Sequence, residues 1–233
     1  MFSFLPSDTA EPRVVARTVG ETGGELVLRR VGGDWEVISN GVFLMDTRDG
    51  ASEREMVRAC LAALPQGRCG IRVLIGGLGV GFSAREALDD SRVGRVRVVE
   101  LEPRIIEWHH GPLAEVAGHL PRDPRCELIQ ADLVSWLAAP ERADEPPFDA
   151  ICLDIDNGPD WTVVEGNQRL YESPALESLE RILAPGGTLA FWSAAPAPGF
   201  AELLEQTFCT VETIEVPARR GTPDIVYLAV RHR

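Results

Sequence analysis

The chain has 233 residues, 45% of them hydrophobic and 25% charged, with a formal net charge of -13 at pH 7. That profile suits one large globular domain, or one domain with a small appendage, long enough to bury a proper core. The negative field repels nucleic acid and favours a cationic partner such as a small amine, although an acidic surface is also a common route to solubility. All 23 basic residues are arginine, which excludes a phosphate-loop lysine, a kinase-type lysine and any lysine Schiff base.

Residues 1–22 contain Pro6, Pro12 and Gly20 and show no sustained periodicity, so the expectation is a loosely held N-terminal arm. The opening Met1-Phe2-Ser3-Phe4-Leu5-Pro6 lacks a basic segment followed by an apolar one, and no apolar run approaches the roughly 18 residues of a membrane span. A cytoplasmic protein with no membrane partner is expected. Glu25–Arg30 and Trp35–Ile38, separated by Val31-Gly32-Gly33-Asp34, read as a β-hairpin, with a third short strand at Val42–Met45 after Asn40-Gly41. So small a β element, spanning 23–50, must pack on the main domain or on another subunit.

From residue 51 to 233 the pattern changes. A helix over 52–64 has Met56, Val57, Cys60 and Leu61 at helical spacing, with Ser52 as its N-cap and Glu55 three residues on. Strands at 71–76, 94–101, 125–130, 148–154 and 187–193 then alternate with helices at 80–89, 103–118, 132–138, 172–184 and 198–207. Two closing strands, near 211–216 and 224–231, lie too close for a helical crossover and should form an antiparallel hairpin. The expected architecture is α/β: a doubly wound, Rossmann-like, seven-stranded sheet of the class I methyltransferase type, six strands parallel, with a small N-terminal β element. The five cysteines are widely spaced and mostly in apolar runs, as reduced core thiols would be. His109 and His110 are adjacent on a helix, so their side chains diverge and cannot share a metal; both are expected at the surface or against a partner, and no metal site is expected.

In an open α/β sheet the ligand lies beyond the carboxyl ends of the strands. The first such end is Val73-Leu-Ile-Gly-Gly-Leu-Gly-Val-Gly81, where Gly77, Gly79 and Gly81 follow G-x-G-x-G. A dinucleotide fingerprint would need its third glycine at Phe82, so this turn points away from NAD and toward the nucleoside loop of S-adenosylmethionine-type transferases. Any tight strand-to-helix turn wants glycine, but Glu100 also stands where a ribose-binding acid is needed. On this reading Glu100 accepts the ribose hydroxyls, Asp132 the adenine amino group, and Leu101 and Leu133 sandwich the ring. Asp154, followed by Asp156 and Asn157, closes the fourth strand, where burial would otherwise penalise a carboxylate; beside a cationic sulfonium it stays ionised and takes a proton from an attacking amine, unless it is only a cap. Residues 155–170 form a loop of the length usual for a lid, in which Trp161 and Tyr171 either wall the pocket or anchor packing.

Several segments resemble spermidine synthases, in the same order: Val73–Gly81, Val99-Glu-Leu-Glu-Pro103, Asp123-Pro-Arg125, Ala131-Asp132, Phe148–Asp154, Leu170-Tyr-Glu-Ser-Pro174 and Leu183-Ala-Pro-Gly-Gly187. The resemblance covers roughly residues 24–195, and the N-terminal β element looks like that family's small oligomerisation domain. It implies an aminopropyltransferase-like fold and a homodimer or homotetramer. It also implies a thioadenosine cofactor, S-adenosylmethionine or its decarboxylated form, leaving methylthioadenosine or S-adenosylhomocysteine as product. Three departures bear on function. The loop Asp that meets the amine of the decarboxylated donor is here Gly79; the Asp-x-x-Asp pair becomes Asp154-Ile155-Asp156-Asn157; and the polar Gln and Tyr of the amine site fall on Leu44 and Glu53 by an approximate alignment. Losing the loop Asp tilts the choice toward intact S-adenosylmethionine, whose carboxylate a glycine-rich helix N-terminus welcomes. The leading expectation is a transferase that moves a methyl or aminopropyl group to a small cationic amine. The competing one is a non-catalytic nucleoside-binding regulatory or assembly protein on the same fold, and an NAD oxidoreductase is a distant third.

Overall fold

The computed structural model describes residues 11–155, 157–162, 165–218 and 221–232. The chain divides into two compact units, residues 1–49 and 50–233. In the first, β1 (Arg13–Val19), β2 (Glu25–Val31), β3 (Asp34–Ser39) and β4 (Val42–Asp46) form an antiparallel sheet in the order β1-β2-β3-β4. The hairpin turns at Gly32-Gly33, and the next turn at Asn40-Gly41, where both residues have positive φ. Leu28 and Val37 are buried. Glu36 is buried between Arg29 and Arg48, each 2.5 Å away; burial pushes its carboxyl up, but the two guanidinium partners outweigh it and hold the acid below its ordinary value.

The expected loose arm is corrected in its second half, where β1 pairs along β2. That strand escapes periodicity because it is an edge: Val14, Val15 and Val19 are exposed, and a register shift between Val14 and Ala16 breaks the alternation.

In the second unit, β5 (Ile71–Gly76), β6 (Val93–Glu100), β7 (Cys126–Gln130), β8 (Phe148–Leu153), β9 (Leu183–Ser193), β10 (Thr210–Val216) and β11 (Asp224–Val230) make one sheet in the order β10-β11-β9-β8-β5-β6-β7. The five from β7 to β9 are parallel, and β11 runs antiparallel to both β9 and β10. Six strands therefore share one direction, and the closing hairpin forms with its second strand inserted against β9. On one face pack α1 (Ala51–Ala62), α2 (Phe82–Asp89) and α3 (Pro103–His109); on the other α4 (Leu133–Ala138), α5 (Ser173–Ile182) and α6 (Pro198–Thr207). Buried apolar residues alternate accordingly. Leu74, Ile151, Leu153, Leu189 and Phe191 join the core under α4–α6, where Phe191, Phe200, Tyr171 and Tyr227 meet in tilted and edge-to-face contacts.

Several boundaries differ from expectation, among them the start of β9 at Leu183 instead of 187. The N-cap of α1 is Gly50, at φ 140°, and Ser52 is buried with its hydroxyl 3.1 Å from a Glu53 carboxylate oxygen. Helix α3 ends at His109 instead of 118, because Pro112 disfavours helical geometry at Gly111 and supplies no N–H of its own. Leu113 and Ala117 stay buried in the turns that follow, which is why the apolar spacing ran on. Among the described residues no helix is long and apolar enough to cross a membrane.

Candidate active site

The parallel strands end on one edge, and the glycine turn is built there by close approach. Backbone bonds hold it: the Gly77 N–H donates to the Val99 carbonyl at 2.9 Å, and the Asp154 N–H to the Gly76 carbonyl at 2.9 Å. A Cβ at Gly77 would lie 2.2 Å from the Asp154 carbonyl oxygen, and one at Gly76 only 2.7 Å from both Leu133 and Leu153. Gly77, Gly79 and Gly81 all have positive φ, at 88°, 51° and 93°, and Gly81 caps α2. The turn therefore brings bare backbone to the edge at its three glycines, while its Gly77 and Gly81 N–H groups are bonded within the fold.

Glu100 closes β6 against this turn. Its Oε2 accepts from the Leu78 N–H at 2.7 Å and its Oε1 from the Glu102 N–H at 2.8 Å. Burial raises its pKa, offset in part by those N–H groups and by that of Gly79. A carboxylate oxygen accepts more than one hydrogen bond. Both oxygens, oriented by backbone donors, therefore retain capacity for a vicinal diol.

Asp154 follows β8 directly, with its Oδ2 3.2 Å from the Ser83 hydroxyl on α2. Its pKa is raised to about 8, first by burial and then by the negative charge of Glu53, with Asp224 and Glu100 adding to it and Ser83 opposing. Glu53, in the first turn of α1, is itself raised by burial, with Asp224 contributing. Four carboxyl groups thus converge on the strand edge beside the glycine turn, a place that favours cations over anions.

Asp132 is the N-cap of α4, its Oδ1 accepting from the Ser135 N–H at 2.8 Å. Leu133 is buried against Gly76 and Leu153, while Leu101 beyond β6 is half-buried. Asn157 ties its loop to the sheet, its carbonyl accepting from the Ala194 N–H at 3.0 Å. Asp156 lies outside the described residues. Of its two expected roles Tyr171 takes the packing anchor: it is buried in the aromatic core, and its hydroxyl donates to the Ile155 carbonyl at 2.8 Å, bracing the backbone after Asp154. Trp161 is 62% exposed. His109, expected at the surface, is 1% exposed.

Sequence reasoning missed Asp224 and Ser83. Reading only the carboxyl ends of strands overlooks β11, whose reversed direction brings its first residue to the ligand edge, one step past the Ile225–Ser193 pair. Ser83 carried no signal beyond its place at the start of α2.

Three comparisons bear on this arrangement. A family model described as spermine/spermidine synthase domain matches residues 52–197. A polyamine aminopropyltransferase of Mycobacterium tuberculosis (strain CDC 1551 / Oshkosh) is 32% identical over 174 residues, covering 74% of this chain and 31% of that protein. The chain thus spans less than a third of that relative's length. A crystal structure of spermidine synthase from Thermotoga maritima superposes with a TM-score of 0.74 at 16% identity, over 94% of this chain and 73% of the other. Human methyltransferase-like protein 13, solved with SAH, superposes with a TM-score of 0.62 at 18% identity, over 78% and 82%; both share the class I methyltransferase-like fold. The family match contains the glycine turn, Glu100, Asp132 and Asp154, and on its extent this chain belongs to the spermine/spermidine synthase family.

Proposed function

We propose that this chain binds decarboxylated S-adenosylmethionine and transfers its aminopropyl group to a small cationic amine. The supporting observation is the convergence of Asp154 with Glu53, Asp224 and Glu100 beside a glycine turn. The missing loop Asp at Gly79 tilts the sequence-based choice toward the intact donor, but a donor carboxylate would add a further acid to a site where four carboxyl groups already resist ionising together, whereas a donor tail ending in an ammonium relieves them.

In this reading Glu100 accepts the ribose hydroxyls and the turn fixes the nucleoside. Asp154 steadies the incoming amine. As the nitrogen lone pair bonds to the carbon beside the sulfonium, the C–S electrons return to sulfur, methylthioadenosine leaves, and the nitrogen's proton passes to Asp154. The bound sulfonium and amine draw the buried Asp154 into its ionised form, in which it can accept that proton, and alignment of nitrogen, carbon and sulfur supplies the larger share of the acceleration.

The test is titration calorimetry with the intact and decarboxylated donors, together with the mass of the product. Tighter binding of the decarboxylated donor and an aminopropyl increment are expected; preference for the intact donor and a methyl increment would overturn the reading. Gly79→Asp sharpens the comparison, since Asp tolerates the left-handed backbone that Gly79 adopts at φ 51°. It should widen the preference for the decarboxylated donor by about tenfold, the gain of one charged hydrogen bond.

We also propose self-association through the N-terminal unit into a homodimer or homotetramer. Its edge strands carry the exposed Val14, Val15, Val19, Val42 and Phe43, and an open sheet edge with apolar side chains is a template for pairing with a second chain. Light scattering on the full chain should return a multiple of the 25.4 kDa monomer mass; a monomer at micromolar concentration would contradict it.

A further inference from the structure

Behind the glycine turn sits a side chain that the reaction does not touch. His109, the last residue of α3, is 1% exposed, and its Nε2 lies 3.0 Å from the Gly79 carbonyl oxygen. A carbonyl only accepts, so Nε2 carries the hydrogen. Nδ1 is buried without a hydrogen-bond partner among the described residues. Burial pushes the ring's pKa down, keeping it neutral. A residue chosen only to fill space would avoid a stranded ring nitrogen, because an unpartnered buried polar atom is destabilising. The Gly79 bond is the one polar contact that offsets it.

That bond acts on the middle of the ligand-binding turn. The Gly79 N–H supports the Glu100 carboxylate on one side of the residue, and the Gly79 C=O is held by His109 on the other. The ring also packs tightly on the end of the turn, where a Cβ at Gly81 would come within 2.8 Å of His109 Cε1. With φ positive at Gly77, Gly79 and Gly81, three residues of the turn have no side chain of their own to restrict the backbone. At Gly79 the restraint comes from outside the turn, through Glu100 and His109.

We infer that His109 is a positioning residue for nucleoside binding, clamping the Gly79 peptide so that the turn and Glu100 are preset before the ligand arrives. The inference rests on the nucleoside-binding reading, yet it makes a claim about the ligand-free protein. Amide exchange at Leu78 to Val80 without ligand should accelerate about tenfold in His109→Phe, the loss expected for one buried hydrogen bond, and His109→Gln, which can still donate to the carbonyl, should restore most of the protection. With methylthioadenosine as the probe, calorimetry should show affinity falling by a similar factor in His109→Phe. Donor KM should rise in proportion, with kcat within a few-fold of the parent.

Unchanged exchange and unchanged affinity in a folded His109→Phe, even with a lowered denaturation midpoint, would reduce His109 to a packing residue. Faster exchange in a protein whose parent form fails to bind methylthioadenosine would leave the clamp standing and overturn the nucleoside reading instead. Should His109→Phe not fold, His109→Met, which lacks the donor at similar reach, replaces it with the same expected outcomes.

Discussion

Replacing Asp154 with Asn should lower turnover by roughly 10²–10⁴-fold, the range for losing a positioned general base, while methylthioadenosine affinity stays within a few-fold. Asparagine keeps the shape of the side chain and can still bond Ser83, but it neither attracts an ammonium nor takes a proton. Stability should move the opposite way. Burial, followed by the charge of Glu53, Asp224 and Glu100, raises the Asp154 pKa to about 8 in the folded state, against about 3.9 in an unfolded chain. The native protein holds this proton more tightly, so Asp154's contribution to stability is greatest below about pH 4 and is progressively lost as pH rises to about 8. A neutral Asn escapes that loss. Thermal denaturation of the variant should therefore match the parent near pH 4 and exceed it at pH 8 to 9. Loss of turnover and of stability together at every pH would mark Asp154 as a structural acid. Turnover that survives the substitution would favour the non-catalytic nucleoside-binding reading.

Glu100→Gln should weaken methylthioadenosine binding about 100-fold, some 2–3 kcal/mol, as expected when hydrogen bonds to a charged acceptor are lost. The Glu100 oxygens are already aligned by the N–H groups of Leu78 and Glu102, and a Gln amide can satisfy only one of these donors while turning its own N–H₂ toward the other. Both the ribose contact and the shape of the turn should suffer. Burial raises the pKa of Glu100, so losing the charge relieves desolvation and the folded protein should tolerate the change better than the ligand site does. Calorimetry with methylthioadenosine reads the effect; affinity within threefold of the parent would remove Glu100 from the site.

The central strands β5, β8 and β9 were legible because they are buried on both faces and bounded by turn residues. β5 at 71–76 and α6 at 198–207 fall where the apolar pattern places them, and the chemistry of the first loop follows from glycines whose positive φ no other residue adopts as readily. What failed has local causes. An exposed edge strand such as β1 carries little alternation to read. Residues 110–117 keep apolar spacing through turns that Pro112 makes non-helical. For Tyr171 the sequence left pocket wall and packing anchor open, because only the fold decides that its ring enters the aromatic core while its hydroxyl reaches the Ile155 carbonyl. His109 went the other way, since adjacency to His110 predicts diverging rings but not which of them turns inward. Asp224 depends on which neighbour β11 pairs with, a long-range fact that no local window holds.

A crystal of the protein grown with methylthioadenosine bears most directly on whether the glycine turn and Glu100 hold one nucleoside with its sulfur facing Asp154. Density for the ribose diol within hydrogen-bond distance of the Glu100 carboxylate, with the thioether directed to the end of β8, is the expected result. A nucleoside bound elsewhere on the chain, with Glu100 still occupied only by the backbone N–H groups of Leu78, Gly79 and Glu102, would contradict it.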